Sequence, residues 1–221
     1  MKPIGYIESD FKEKFGIPRQ SGRSSLVARV VFEPEYAQPD CVRGIEKFSH
    51  LWLLFDFSKA HRERFAPTVR PPRLGGNTRV GVFASRSPFR PNSIGLSCVK
   101  LLSVEKTQNG VSLLVEGADL LDGTPIYDVK PYIPYADCHP EAVGSYADEH
   151  ANDTLCVEFP ENLLEKIPKE KRTGLIECLR DDPRPSYQDE PERIYGMKFA
   201  DFDLKFTVKN RILTVIEVKN V

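Results

Sequence analysis

Five arginines, at positions 70, 73, 79, 86 and 90, fall between Val69 and Arg90 without one acidic residue among them. A guanidinium offers two parallel N–H donors, the geometry that fits a phosphate or a carboxylate. The stretch that carries them, RPPRLGGNTRVGVFASRSPFRPNSIG (70–95), is stiffened by proline. Pro71 and Pro72 favour extended backbone around Arg70 and Arg73. Pro88 and Pro91 oppose the helix that the Arg86–Arg90 spacing would otherwise allow. Gly75-Gly76 permits a sharp turn. Asn92 adds an amide that both donates and accepts, as adenine or backbone recognition requires. Two readings follow: a positioned anion site, or a loop whose arginines are merely solvated or cap a barrel end through carbonyls.

Three further stretches are too rich in special residues to be plain connectors. KEKFGIPRQSGR (12–23) sets Arg19 and Gln20 behind a proline. DLLDGTPIYDVKPYIPYAD (119–137) gathers Asp119, Asp122, Asp128, Lys130 and Tyr132. Its DGTP is turn composition, with Asp122 able to close an Asx-turn and Gly123 suited to positive φ. Asp128 and Lys130, two apart on a strand, share a face, as a structural ion pair or a functional one. DDPRPSY (181–187) fixes Arg184 between prolines near Tyr187; it reads as a helix stop and linker, or as a second stiffened arginine.

Other chemistries lack their signatures. There is no GxSxG, no phosphate-binding GxxxxGK[ST] loop and no GxGxxG after a strand, and His50, His61, His139 and His150 stand apart from any nucleophile motif. Five scattered cysteines form no CxxC pair, so reduced thiols in a cytosolic protein are expected rather than a disulfide framework or a zinc site. No N-terminal targeting segment is expected, and the run Leu51–Phe55 is far too short for a span of roughly 20 residues. Net charge is −1, but residues 137–193 hold fifteen acids against seven bases. An arginine-only stretch in such a chain points to a focused anion site rather than a general polyanion coat.

The elements that must position these residues are mostly strands. IGYIES, LVARVVF (26–32), HLWLLFDF (50–57), RVGVFAS (79–85), IGLSCVKLLSVEK (94–106) and VSLLVEGA (111–118) alternate or run apolar, and Asn109-Gly110 marks a hairpin turn. QPDCVRGIEKF (38–48) predicts a short helix with Asp40 as its N-cap. Many strands without long intervening helices predict a mainly β fold with an antiparallel barrel or sandwich. Beyond a polar stretch near 137–152, ENLLEKI (161–167) and RTGLIECLRD (172–181) predict helices, and 202–219 a hairpin. The expected organisation is a β domain over 1–140 and a small α+β module over 150–221.

Together RPPRLGGNTRVGVFASRSPFRPNSIGLS, FSHLWLLFDF, DLLDGTPIYDVKPYIPYAD and DDPRPSY resemble the TsaA-like (TrmO/YaeB) family of tRNA methyltransferases, in order and over nearly the whole chain. The resemblance implies a β-barrel enzyme, active as a homodimer, that uses S-adenosylmethionine. The implied reaction methylates N6 of threonylcarbamoyladenosine at position 37 of a tRNA anticodon loop. It assigns Gln20, Ser21, Gly22, Phe57, Ser58, Arg86, Leu96, Leu121, Asp122, Gly123 and Thr124 to the cofactor; Ser21 departs from the proline common there. Asp122 and Asp128 are candidates for a general base. Arg70, Arg73, Arg79, Arg90, Asn92, Lys130 and Arg184 are expected to contact RNA, with Arg90 and Asn92 alternatively holding the loop. No metal or membrane partner is expected. The rival expectation is a non-catalytic RNA- or nucleotide-binding barrel whose arginines only grip phosphate.

Overall fold

Strand alternation dominates the first half of the chain. A computed structural model describes residues 1–184 and 190–221, without the side chain of Arg73. The strands are β1 (Gly5–Glu8), β2 (Val27–Phe32), β3 (His50–Asp56), β4 (Thr68–Val69), β5 (Val80–Gly81), β6 (Ile94–Thr107), β7 (Gly110–Glu116) and β8 (Pro125–Pro131). Six of them form a closed barrel in the order β1-β2-β7-β6-β3-β8, all antiparallel, closing where Gly5 and Tyr6 meet Ile126 and Pro125. In β2 and β3 every second side chain points inward, so Val30, Leu51 and Leu53 meet Leu113, Val115 and Ile126 in a fully buried interior.

Neighbouring β3 and β6 pair from Asp56↔Ile94 onward, yet residues 57–93 intervene. The arginine-rich stretch is therefore a long excursion, pinned at both ends to one barrel rim, with the β4–β5 ribbon inside it. Of its expected strand over 79–85 only β5, Val80–Gly81, is formed. After Gly81 the chain turns through a 3-10 segment, Val82–Ala84, which buries Val82 and leaves Phe83 exposed. Nor is 38–48 an α-helix: two 3-10 turns, Pro39–Val42 and Ile45–Lys47, are separated by Gly44 at φ 88°, and Gln38 rather than Asp40 holds the N-cap position. The hairpin after β6 turns at Gln108-Asn109, one residue earlier than expected, because Gly110 already pairs with Thr107.

The second half adds α1 (Pro134–Asp137), α2 (Tyr146–Glu149), β9 (Cys156–Glu158), α3 (Glu161–Leu164), α4 (Lys169–Arg180), β10 (Tyr195–Phe199), β11 (Phe202–Lys209) and β12 (Ile212–Asn220). The helix expected over 161–167 is a single turn, and Pro168 starts α4 earlier than expected. A four-stranded sheet, β10-β11-β12-β9, packs Phe206, Leu213 and Val215 against Leu175 and Leu179. The expected hairpin, β11–β12, turns at Asn210-Arg211, both at positive φ. Phe11 and Leu26, from the β1–β2 connection, belong to this second core. Residues 9–26 thus lie between barrel and module. No helix among the described residues is long and apolar enough to cross a membrane.

Contact between α4 and that connection is close. A Cβ on Gly174 would lie 2.5 Å from Leu26 Cγ and 2.9 Å from Leu26 N. Gly174→Ala is expected to cost about 1–3 kcal/mol by overpacking, roughly 2–4 °C of melting temperature per kcal/mol at this size. A melt identical to wild type would mean that α4 is not held against Leu26.

Candidate active site

Strand direction decides which segments meet at the rim. β3 runs antiparallel to both β6 and β8, so its last residues adjoin the first residues of each: Asp56 faces Ile94, and Phe55 faces Ile126. The segment 119–124 that leads into β8 therefore reaches the rim from which the arginine excursion leaves. β1 ends there too, because Ile7 N–H donates to Thr124 O at 3.1 Å. These segments and residues 14–20 enclose a cleft of about 510 Å³, within the range of small-molecule sites.

Seven of the residues assigned to the cofactor line this cleft: Gln20, Phe57, Ser58, Arg86, Leu96, Leu121 and Thr124. Arg86 Nη1 donates to Gln20 Oε1 at 2.6 Å, tying the arginine loop to the N-terminal segment. Phe57 meets Phe55 edge to face, with centroids 4.9 Å apart. Leu96 remains 51% exposed. Thr124 Oγ1 donates to Leu121 O at 2.6 Å, which fixes the turn before β8.

Four others stand outside the cleft. Ser21 Oγ accepts from Cys98 N–H at 3.1 Å and Gly22 N–H donates to Gly117 O at 2.9 Å, so both tie the loop to the barrel wall. Gly123, at φ 73°, shapes the turn. Asp122 points away: its carboxylate accepts from Ser9 N–H and Lys12 Nζ, each at 2.9 Å. The Asx-turn expected of it is absent, since Thr124 N–H closes the turn on Leu121 O. Asp128 pairs with Lys130 at 2.7 Å on β8, also outside the cleft. Leu121 and Thr124 take the inward places of this turn, so neither carboxylate expected to serve as base reaches the site.

The carboxylates that line it are Asp56 and Asp119. Asp119 Oδ1 accepts from Ser97 Oγ. Burial pushes the Asp119 carboxyl above its ordinary range, against the opposing pull of the Ser97 hydrogen bond, its own backbone and the Arg86 charge. Asp56 is buried and shares a hydrogen bond with His61 Nε2 at 2.8 Å. Asp119 was visible in the sequence as the first residue of DLLDGTP, but only its partnership with Ser97 across the sheet distinguishes it from Asp122.

The arginines divide into two groups. Arg90 Nη1 donates to Val82 O at 3.0 Å and Ser85 O at 2.7 Å, so of the two roles open to it the structure supports holding the loop. Arg184 is buried, donating from Nε and Nη2 to the Asp182 carboxylate at 2.9 and 3.0 Å, and is not presented to an RNA phosphate. Arg70, Arg79 and Asn92 are exposed on the excursion, and Lys130 is exposed beside Asp128. The side chain of Arg73, and Tyr187 altogether, lie outside the described residues. Arg62, unremarked in the sequence, stacks its guanidinium 3.4 Å from the Phe89 ring centroid and steadies the same loop.

The second module grips the cleft's N-terminal wall. Asp181, at the end of α4, accepts from Arg23 Nε at 3.1 Å and Nη2 at 2.9 Å, and from Arg19 N–H at 3.3 Å. Arg19 Nη2 reaches Asp182 O and Arg184 O. Glu177 accepts from both the N–H and the hydroxyl of Ser25, at 2.6 and 2.7 Å. DDPR is thus a clamp on the segment that carries Gln20, and not only a linker.

Known proteins share this chain's organisation. The family model of the tRNA-methyltransferase O N-terminal domain matches residues 6–138, and that of the TrmO C-terminal domain matches 152–221. The tRNA (adenine(37)-N6)-methyltransferase of Escherichia coli (strain K12) is 43% identical over 214 residues, covering 93% of this chain and 91% of that protein. An S-adenosyl-L-methionine-binding protein of Archaeoglobus fulgidus is 41% identical over 138 residues, 62% of this chain and 92% of that protein. The crystal structure of TrmO from Pseudomonas aeruginosa superposes with a TM-score of 0.78 at 35% identity, covering 99% of this chain and 97% of that one.

Proposed function

We infer the reaction from one premise: the chain belongs to the tRNA-methyltransferase O family. It is an S-adenosylmethionine-dependent methyltransferase of N6 of adenosine 37 in tRNA. The observation that carries this reading is a nearly full-length match to such an enzyme in a chain whose cleft chemistry suits the cofactor. S-Adenosylmethionine bears a carboxylate, an ammonium group, a sulfonium and an adenine. The cleft offers Arg86 for the first, the Asp56 carboxylate for a cationic group, and the Phe55–Phe57 pair for a flat ring.

The barrel, residues 1–140, is on this reading the methyltransferase domain, and 150–221 the smaller module that holds its wall. Gln20, Phe57, Ser58, Arg86, Leu96, Leu121 and Thr124 would hold the cofactor, with Ser21, Gly22, Asp122 and Gly123 shaping the loops that present them. When bound, the cofactor supplies an electrophilic methyl group on sulfur. The chain's own task is alignment and exclusion of water, which the stiff 81–95 loop and the clamped 17–26 segment perform. The target adenosine carries threonylcarbamoyl on N6. Arg70, Arg79, Asn92 and Lys130 contact the anticodon stem and loop. A second copy completes a homodimer over the open side of the cleft near Leu96, and the protein works in the cytoplasm with tRNA.

Two measurements test these assignments. Calorimetry with S-adenosylmethionine should show saturable binding; none would return the chain to the rival class of RNA-binding barrel. For the RNA face, the double variant Arg70→Ala/Arg79→Ala should weaken tRNA binding. It should also lower the slope of log affinity against log salt by about 1.4–1.8, as follows when two phosphates are no longer neutralised. An unchanged slope in fluorescence anisotropy would remove both arginines from the interface.

A further inference from the structure

We propose that Asp119 is the proton acceptor for N6–H of the target adenosine, held ready by Ser97. The proposal rests on the methyltransferase reading above. The need for an acceptor follows from the substrate: an N6 conjugated with both a purine and a carbamoyl group has little free lone pair, so proton removal must accompany attack. As Asp119 takes the proton, an N6–C bond forms to the methyl group while the S–C bond breaks. That electron pair stays on sulfur as a neutral thioether. The proton then passes from the carboxyl group to water once product has left.

Position singles Asp119 out. Asp122 and Asp128 lie outside the cleft, bound to Lys12 and Lys130. Asp56 lies inside it but shares its Oδ1 with His61. Asp119 opens on the cleft from the segment before β8, and its side chain is hydrogen-bonded by the buried Ser97 hydroxyl at the start of β6. A carboxylate has about four lone-pair sites, so that bond orients it and leaves it able to accept another proton. Cationic side chains around the cleft have partners of their own. Arg90 and Arg19 donate to backbone carbonyls, Lys14 donates to Lys59 O, and Asp56 faces His61. Arg86 acts on Asp119 by charge, and Gln20 shares that guanidinium. Burial also brings the carboxyl closer to neutral pH, where a base exchanges protons efficiently.

The test compares wild type, Asp119→Asn and Ser97→Ala by kcat against pH on tRNA bearing threonylcarbamoyladenosine, with calorimetry for S-adenosylmethionine and S-adenosylhomocysteine and a thermal melt. Wild-type turnover that rises with pH through an acidic limb is the reference. Asp119→Asn is expected to melt normally, to bind both ligands in the wild-type ratio, to lose about 10²–10⁴-fold in kcat and to lose the acid limb. Ser97→Ala should keep the limb but shift it, with a smaller loss of rate. Asp119→Asn turnover near wild type overturns the proposal. So does a variant that keeps the acid limb but no longer prefers the sulfonium ligand, because the carboxylate would then serve the cofactor's charge. Wild type that binds cofactor but never methylates this tRNA overturns the substrate reading instead. Should Asp119→Asn not fold, Asp119→Glu takes its place: a moved limb supports the proposal and an unmoved one overturns it.

Discussion

Arg86→Ala is expected to cut kcat/KM for methyl transfer by about 10–150-fold while leaving the thermal melt at the wild-type temperature. The magnitude is that of a hydrogen bond to a charged group, about 1.5–3 kcal/mol. The separation from stability follows from the side chain's position. Arg86 is exposed, its guanidinium is hydrogen-bonded to Gln20, and it belongs to neither hydrophobic core. Calorimetry should assign the loss to cofactor affinity, and Arg86→Lys should recover only part of it, since an ammonium cannot present the guanidinium's fork. A fully active, normally melting Arg86→Ala enzyme would take the residue out of the site.

The second large effect is at Asp181, far along the chain from the cleft. Its carboxylate is buried and joins Arg23 to the N–H of Arg19, so Asp181→Ala strands three N–H donors at once. Breaking such a buried, hydrogen-bonded pair from one side costs about 3–5 kcal/mol, reduced here to roughly 2–3 because Arg23 is partly exposed. Denaturant unfolding measures this directly. Loosening 17–26 also releases Gln20, the partner of Arg86, so KM for the cofactor should rise together with the fall in stability. Arg23→Ala should produce both changes more weakly. If Asp181→Ala unfolds at the wild-type denaturant concentration, the clamp contributes nothing.

Much of this was legible in the residues. Alternation in VARVVF and HLWLLFD identified the barrel strands, and the blocks around Gln20, Arg86 and Leu121–Thr124 converge on one rim. What escaped was decided by neighbours remote in sequence. The Gly44 kink divided an expected helix, and Val82 alone among 82–84 is buried, so the end of a run that looks strand-like became a turn. Asp119 and Asp122 are three residues apart in one turn and alike in type. Only the fold puts Ser97 beside the first and Lys12 beside the second. Arg90 and Arg184 look like free cations in the sequence because their partners, two carbonyls and a neighbouring carboxylate, leave no mark that composition can show.

The central claim is best tested on purified components. The protein is incubated with S-adenosylmethionine carrying an isotopically labelled methyl group and with tRNA that bears threonylcarbamoyladenosine at position 37, and the tRNA is then digested for nucleoside mass spectrometry. One labelled methyl on N6 of nucleoside 37, and on no other nucleoside, is the expected result. Saturable cofactor binding with an unlabelled nucleoside 37, or label at a different position, would contradict it.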